Sequence, residues 1–183
     1  MNLLGIDVGT TSVKTAVYDE GLTPLLSLTA DYTLNTHGAF VEFSAEEYVN
    51  IVKGEIEKAR EKFDISALAI DTQCETLILT DEYGVPVRDA IVWLDNRATK
   101  EAEKIREHFG NKRVYEVTGQ PEITATWPAA KLLWVRENEP EVWKRVKKIF
   151  LLEDYILYKM TGRFITEKTL QSSTIYFDIK NNC

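Results

Sequence analysis

The chain has 183 residues, of which 44% are hydrophobic and 28% charged, and its formal net charge is −7. This content is enough for one large globular domain or two small ones. The acidic balance argues against a nucleic-acid partner, because binding a phosphate backbone needs clustered lysine and arginine. Cys74 and Cys183 make no disulfide framework, and no stretch reaches a membrane-spanning length. We therefore predict a cytoplasmic protein.

Hydrophobic periodicity predicts an α/β chain that begins with a β-meander and ends mainly with helices. The capping-box pattern Ser44–Glu47 opens the first helix. The predicted strands are Leu3–Val8, Val13–Tyr18, Pro24–Tyr32, Ile65–Asp71, Thr76–Asp81 and Ala90–Leu94, and Ile149–Leu152 is a short strand or a helix lead-in. The later predicted helices are Ala98–Phe109, with Ala102, Ile105 and Phe109 on one apolar face, Pro128–Asn138, Pro140–Val146 and Asp154–Met160.

The hairpin between the first two predicted strands has the make-up of a phosphate-binding turn. An apolar strand delivers Asp7 to a turn at Gly9, which permits a positive φ and a close approach of backbone N–H groups to a ligand. Successive N–H groups in such a turn form a concavity for an anion. The hydroxyls of Thr10, Thr11 and Ser12 add hydrogen-bond donors. Asp7 is a hard oxygen ligand of the kind that Mg²⁺ uses beside nucleotide phosphates.

The spacing in this hairpin favours phosphate binding over the alternative, an ordinary edge hairpin. It is not a Walker A loop, because no Gly-Lys-Ser/Thr follows, and the dinucleotide fingerprint Gly-x-Gly-x-x-Gly is absent. A strand–turn–strand site resembles the first phosphate motif of actin, the heat-shock ATPases and the sugar kinases.

Two polar segments follow later strands, where α/β folds place ligand contacts. Gln73 and Glu75 can exchange hydrogen bonds with a polyol, and the alternative is a polar surface loop. Trp93 offers a flat apolar face to the carbon side of a sugar. Taken by itself, that segment favours a core tryptophan followed by a weak surface ion pair between Asp95 and Arg97.

In combination, and in their order along the chain, these segments resemble the N-terminal domain of the FGGY carbohydrate kinases, the family of glycerol kinase and xylulokinase. Further stretches similar to family elements are Gly38–Ser44, Lys131–Asn138, Glu153–Ile156, Met160–Gly162 and Thr169–Asp178. The resemblance implies a ribonuclease-H-like domain of the actin and sugar-kinase superfamily, with a mixed sheet flanked by helices and a helical insertion.

The resemblance implies ATP-dependent phosphorylation of a sugar or polyol hydroxyl. By the family pattern, Asp7 lies near Mg²⁺, and Thr10, Thr11, Ser12 and Lys14 hold the phosphates of ATP. Residues at the family's substrate positions are Gln73, Cys74, Glu75, Trp93 and Trp127.

The identity of the sugar stays open between two kinds of relative. Glu75–Thr76 agrees with glycerol kinases, whereas Cys74 matches neither glycerol kinases nor xylulokinases. A thiol lacks the fork of donors that an arginine offers to a triol, and we interpret Cys74 as a small apolar filler. We predict a xylulokinase-like kinase, with a glycerol-kinase-like polyol kinase as the alternative.

The family pattern also implies a catalytic aspartate and a nucleotide-binding C-terminal domain beyond Cys183. Residues 1–183 are therefore expected to be a truncated N-terminal domain without useful turnover alone, and the catalytic base stays unknown. A non-catalytic sugar-binding half-kinase is a second alternative, and a metal-dependent nuclease is disfavoured by the acidic charge. The expected partners are a sugar or polyol and the C-terminal kinase domain, not nucleic acid or a membrane, and a homo-oligomer stays open.

Overall fold

Residues 1–183 are all described by the computed structural model, and they divide into two units. The first unit comprises residues 1–34 and 44–73, and the second comprises residues 35–43 and 74–183. None of the helices combines the length and the apolar content needed to cross a membrane.

The first unit is a mixed four-stranded sheet with one helix packed against it. Its elements are β1 (Asn2–Val8), β2 (Ser12–Tyr18), β3 (Pro24–Asp31), helix α1 (Ala45–Arg60) and β6 (Ile65–Thr72). The strand order is β3-β2-β1-β6; the meander is antiparallel, and β6 runs parallel to β1. The predicted meander, helix and fourth strand are confirmed.

Strand alternation separates a buried face of this sheet from an exposed one. The buried side chains are Leu4, Ile6 and Val8 of β1 and Val13, Thr15 and Val17 of β2. Helix α1 packs on the sheet, with Tyr48 and Val52 fully buried. Ser44 caps the helix, since its hydroxyl accepts a hydrogen bond from Glu47 N at 3.3 Å, as the capping-box pattern predicts. Asp7, at the end of β1, alternates onto the exposed side.

The second unit is built on a five-stranded antiparallel sheet with the order β4-β5-β8-β7-β9. The strands are β4 (Asn35–His37), β5 (Phe40–Phe43), β7 (Leu77–Thr80), β8 (Ala90–Ile91) and β9 (Lys148–Leu151). The helices are α2 (Thr99–Phe109), α3 (Asn111–Thr118), α4 (Pro128–Asn138), α5 (Pro140–Arg145), α6 (Leu152–Thr161) and α7 (Lys168–Gln171).

Two apolar clusters hold the helices of the second unit in place. One joins the sheet to α4 and comprises Leu77, Leu79, Val87, Ile91 and Val135. The other joins α2, α3 and the N-terminal end of α4 and comprises Ala98, Ala102, Val114, Ile123, Ala125, Ala130 and Ile175. Both clusters anchor α4, so a side chain on this helix has a well-defined position.

Three details of the second unit differ from the sequence-based prediction. Strand β8 ends at Ile91, because a turn follows in which Asp95 N donates to Val92 O at 3.0 Å. Phe109, predicted on the apolar face of α2, is 57% exposed and its ring lies edge-on to His108. The elements that were not predicted, β4, β5, α3 and α7, have at most eight residues each.

Candidate active site

The predicted phosphate hairpin forms in the first unit, with the expected polar groups on the ends of β1 and β2 and on the turn between them. β1 and β2 pair in a register that places Asp7 opposite Lys14, and Gly9 N donates to Ser12 O at 3.0 Å to close the turn. Lys14 Nζ lies 4.0 Å from Asp7 Oδ2, and the two side chains are 66% and 51% exposed. Both charges therefore lie within reach of a ligand from solvent.

Gly9 serves this turn in a different way from the one predicted. Its backbone does not adopt a positive φ. A Cβ atom on Gly9 would lie 3.3 Å from Ser12 O, which is tighter than ordinary van der Waals contact. Glycine is needed here because the two backbone segments approach closely, and not because the chain turns left-handed.

The hydroxyl residues complete the same loop. Thr10 and Thr11 span the gap between the strands, and Ser12 begins β2. Thr11 is exposed, and its carbonyl accepts a hydrogen bond from Tyr32 N at 3.0 Å. The hairpin therefore brings together all five residues predicted for phosphate and metal binding.

A second carboxylate, Asp71, lies beside Asp7 and was not predicted as a site residue. Asp71 is in register with Asp7 on the parallel strand β6, so the two side chains share the exposed face of the sheet. A cleft of about 480 Å³ on that face is lined by both aspartates, Lys14, Tyr18 and Ser27. The signal in the sequence was an aspartate at the end of a second apolar strand, which repeats the pattern that marks Asp7.

A directional hydrogen-bond chain connects Gln73 to the phosphate turn. Gln73 Nε2 donates to the Tyr48 hydroxyl at 2.8 Å, the Tyr48 hydroxyl donates to that of Tyr32, and Tyr32 donates to Gly9 O. The two tyrosine rings meet edge to face, with centroids 5.4 Å apart. Burial raises the pKa of Tyr32 to about 12, so both phenols keep their protons at neutral pH. The backbone of Gln73 is also held, since its N–H donates to Val8 O at 2.8 Å.

Glu75 has the most unusual backbone among the predicted substrate residues. It belongs to the second unit and has a φ of 66°, a left-handed conformation that non-glycine residues seldom adopt. Burial raises the pKa of its carboxyl, and the nearby Lys131 ammonium opposes that rise. Its neighbour Cys74 is exposed and forms no disulfide, so it is not a buried apolar filler. Backbone strain of this kind persists where the surrounding structure imposes it, often at ligand sites.

The two predicted tryptophans differ in how they are held. Trp93 follows β8 in the turn described above, and its backbone N–H donates to Thr76 Oγ1 at 3.3 Å. Trp127 is the N-cap residue of α4, its indole N–H donates to Glu122 O at 2.9 Å, and its ring packs on the Ala98–Ile175 cluster. The only donor of the Trp127 side chain is therefore already used inside the fold.

The interpretation of Asp95 and Arg97 as a weak surface ion pair is wrong. The Asp95 side chain is fully buried and that of Arg97 is 1% exposed, with Nη2 at 2.7 Å from Asp95 Oδ2. Val41 N donates to the same carboxylate at 2.6 Å, and Arg97 also bonds Glu42 Oε1 at 2.7 Å. The guanidinium carbon lies 4.2 Å and 4.9 Å from the ring centroids of Phe40 and Trp134. The i, i+2 spacing of Asp95 and Arg97 in the sequence does not predict that the two side chains are buried.

One cavity in the second unit contains none of the predicted site residues. It measures about 630 Å³ and is lined by Arg136, Trp143, Asp154, Phe164 and Tyr176 among others. Asp154 is already occupied, accepting hydrogen bonds from Thr166 and Gln171. The cavity lacks the hydroxyl-rich turn and the substrate residues that the sequence predicts, so we assign the site by the chemistry of the hairpin and of Glu75.

Comparison with known proteins identifies the family to which the chain belongs. The N-terminal domain of the FGGY family of carbohydrate kinases matches residues 2–182. The chain belongs to this family. Its fold is that of the actin and ribonuclease-H-like sugar kinases, as predicted.

Three relatives illustrate the similarity. The chain is 32% identical to the xylulose kinase of Lactococcus lactis over 97% of its own length. The ligand-bound xylulose kinase of Lactobacillus acidophilus superposes with a TM-score of 0.93 and 26% identity over the whole chain. Plasmodium falciparum glycerol kinase with ADP superposes with a TM-score of 0.88 and 26% identity. The chain spans 36% of the length of the Lactococcus lactis protein and 38% of the length of each of the other two.

Proposed function

We propose that this chain is the N-terminal part of an ATP-dependent kinase that phosphorylates a hydroxyl of xylulose or a related ketose. The observation that carries the proposal is the β1–β2 hairpin, which brings Asp7, Lys14 and three hydroxyl residues together at one turn. Phosphoryl transfer depends mainly on positioning and on charge neutralisation, and this loop supplies both. Membership of a family of carbohydrate kinases supports the choice of acceptor.

The hairpin has separate roles for its cation and its hydroxyls. Lys14 would neutralise phosphate charge, and Thr10, Thr11 and Ser12 would donate hydrogen bonds to phosphate oxygens together with the turn's N–H groups. The 4.0 Å separation between Lys14 and Asp7 leaves the ammonium open to a second anion.

Mg²⁺ fits the donor set on the same face of the sheet. Asp7 and Asp71 are neighbouring, exposed carboxylates, and hard oxygen ligands are the ones that this ion prefers. Asp7 would hold the ion, with Asp71 as its neighbour. When bound, Mg²⁺ would neutralise charge on the nucleotide phosphates.

The sugar would be held by groups that pair with hydroxyls. Glu75 would accept hydrogen bonds from sugar hydroxyls, Gln73 would donate and accept, and Trp93 would cover the apolar side of the ring or chain. Cys74 and Trp127 are proposed as flanking contacts. The cations Arg97 and Lys131 are buried in the second unit, which favours a neutral sugar over an anionic one.

No carboxylate of this chain is assigned as the general base, and we infer that the base and the adenosine pocket belong to another part of the kinase. A cytoplasmic location is proposed, where the reducing environment keeps thiols such as those of Cys74 and Cys183 out of disulfides. A second copy of the chain as a partner stays a proposal.

A glycerol-kinase-like activity is the second candidate. It is favoured by the pair Glu75–Thr76 and by the superposition on Plasmodium falciparum glycerol kinase. The two candidates differ in the length of the polyol, and a ligand panel separates them.

A thermal-shift panel tests the proposal, with MgATP, xylulose, ribulose, glycerol and gluconate as ligands. A ligand at about a hundred times its Kd adds roughly 2.7 kcal/mol, a shift of several degrees for a chain of this size. We expect stabilisation by xylulose that Glu75→Ala abolishes, and stabilisation by MgATP that Asp7→Asn weakens. Stabilisation by a sugar without any response to MgATP would favour a non-catalytic binding module. No response to any ligand would contradict the proposal.

A further inference from the structure

Gln73, a proposed sugar contact, is tied to the phosphate turn at two points. Its backbone N–H donates to Val8 O at 2.8 Å, directly before Gly9. Its side-chain Nε2 donates to the Tyr48 hydroxyl at 2.8 Å, which begins the tyrosine chain, the hydrogen bonds that run from Gln73 through Tyr48 and Tyr32 to Gly9 O. All of these residues lie in the first unit. The position of Gln73 is therefore linked to the geometry of the turn.

The direction of the tyrosine chain follows from its last member, which can only accept. Gly9 O carries no proton, so the Tyr32 hydroxyl donates to it. Each phenol has a single proton to donate, so Tyr32 accepts from Tyr48, and Tyr48 accepts from Gln73. Burial raises the pKa of both phenols, so neither proton is lost at neutral pH. The bonds therefore run in one direction, from the Gln73 amide to the Gly9 carbonyl.

Both tyrosines are held where the tyrosine chain needs them. Tyr48 is fully buried on α1, and its ring meets that of Tyr32 edge to face, with centroids 5.4 Å apart. Tyr32 N donates to Thr11 O at 3.0 Å, so the backbone and the hydroxyl of Tyr32 both contact the turn. A change in the turn therefore acts on Tyr32 at two points.

The two ends of the tyrosine chain are amide groups, whose hydrogen-bond strength depends on nearby charge. The Gly9 carbonyl and the Thr10 N–H belong to one peptide group, so a phosphate bound at the turn makes Gly9 O a stronger acceptor. Hydrogen bonds in such a series strengthen one another inside a protein. At the other end, Gln73 Oε1 is shielded from solvent and accepts no hydrogen bond within the fold. A buried acceptor without a donor is unfavourable, so a ligand hydroxyl that reaches it gains a strong hydrogen bond.

We propose that Tyr32 and Tyr48 are positioning residues that couple the phosphate turn to Gln73, so that nucleotide and sugar strengthen each other's binding. The coupling of the two ligands rests on the proposed function, whereas the tyrosine chain is a property of the free protein. Tyrosines with a purely structural role would support folding and leave the affinities of the two ligands independent.

Calorimetric titration of xylulose with and without saturating MgADP measures the coupling as the ratio of the two affinities. The proteins compared are the wild-type chain, Tyr32→Phe, Tyr48→Phe and the control Tyr83→Phe, which alters an exposed tyrosine of the second unit. We expect MgADP to tighten xylulose binding about fivefold in the wild type and in Tyr83→Phe, the lower end of couplings between sites. Tyr32→Phe and Tyr48→Phe should bind both ligands with a ratio near unity. An equal ratio in all four proteins would overturn the proposal and leave the proposed function standing.

Nitrogen-15 NMR of the Gln73 side-chain amide tests the tyrosine chain without any ligand. Tyr32→Phe removes the acceptor of the Tyr48 proton, so this proton turns toward Gln73 and the Nε2 signals should shift. Tyr83→Phe should leave these signals unchanged. Unchanged signals in Tyr32→Phe would refute the tyrosine chain whether or not a ligand binds.

The two measurements together separate this proposal from the proposed function. If the Gln73 signals shift in Tyr32→Phe but neither xylulose nor MgADP binds the wild-type chain, the proposed function fails and the coupling fails with it, while the tyrosine chain stands. If Tyr48→Phe does not fold, Tyr32→Phe decides the outcome, because it carries both readouts.

Discussion

The polar groups of the phosphate hairpin and those around the Trp93 turn are held in opposite ways. In the hairpin, Asp7 and Lys14 are more than half exposed and lie 4.0 Å apart, so neither is committed to the other. Around the turn, Asp95 and Lys131 are completely buried. Asp95 accepts a hydrogen bond from Val41 N, and Lys131 Nζ donates to Val92 O. The exposed set is suited to binding a charged ligand, whereas the buried set is suited to holding other residues in place.

The difference in burial also explains why the charged groups of the two regions contribute differently to stability. Exposed ion pairs contribute little, because water and salt screen them. A buried pair that loses one partner leaves an uncompensated charge in a medium of low dielectric, which is strongly destabilising. Substitutions in the two regions should therefore separate binding from folding.

The largest expected effect comes from breaking the buried pair. Asp95→Ala leaves the buried Arg97 guanidinium with Glu42 as its remaining carboxylate and removes the acceptor of the Val41 N–H, and we expect a loss of about 3 kcal/mol in the free energy of unfolding. Asp7→Ala, in the exposed hairpin, should change it by no more than about 0.5 kcal/mol. Urea unfolding of the two variants measures both values. Equal effects would show that burial does not distinguish the two aspartates.

An intermediate effect is expected where the hairpin unit has a buried link of its own. Tyr48→Phe removes the hydroxyl that accepts from Gln73 and donates to Tyr32, at a cost of about 1–2 kcal/mol. Tyr83→Phe is the matched control, since Tyr83 is 76% exposed. Urea midpoints that shift equally in both variants would mean that the tyrosine chain does not stabilise the first unit.

The smallest effect concerns the left-handed backbone. Glu75→Gly relieves a strained φ of 66° and should stabilise the chain by about 1 kcal/mol while abolishing the binding of xylulose. Leu22→Gly relieves a similar strain at φ 60° in an exposed turn of the first unit, with a similar gain and no effect on sugar. Thermal unfolding and calorimetry on both variants make the comparison. Retained sugar affinity in Glu75→Gly would remove Glu75 from the site.

The residues predicted from sequence were those whose local pattern reports their environment. Strand alternation and the capping box marked the first sheet and α1, and the hydroxyl-rich turn marked the hairpin, because these depend on neighbours in the chain. The burial of Asp95 depends on Val41, and that of Lys131 on the turn at Val92, which are distant along the sequence. Short elements such as α3 were missed because two buried positions, Val114 and Thr118, make too weak a period.

The most direct test of the proposed sugar site is a calorimetric titration of xylulose into the wild-type chain, Glu75→Ala and Glu82→Ala at pH 7. Glu82 is an exposed glutamate in a turn of the same unit and serves as the matched control. We predict saturable binding by the wild type and by Glu82→Ala, and none by Glu75→Ala. Equal binding by all three proteins, or none by a folded wild-type chain, would contradict the assignment of the sugar site to these residues.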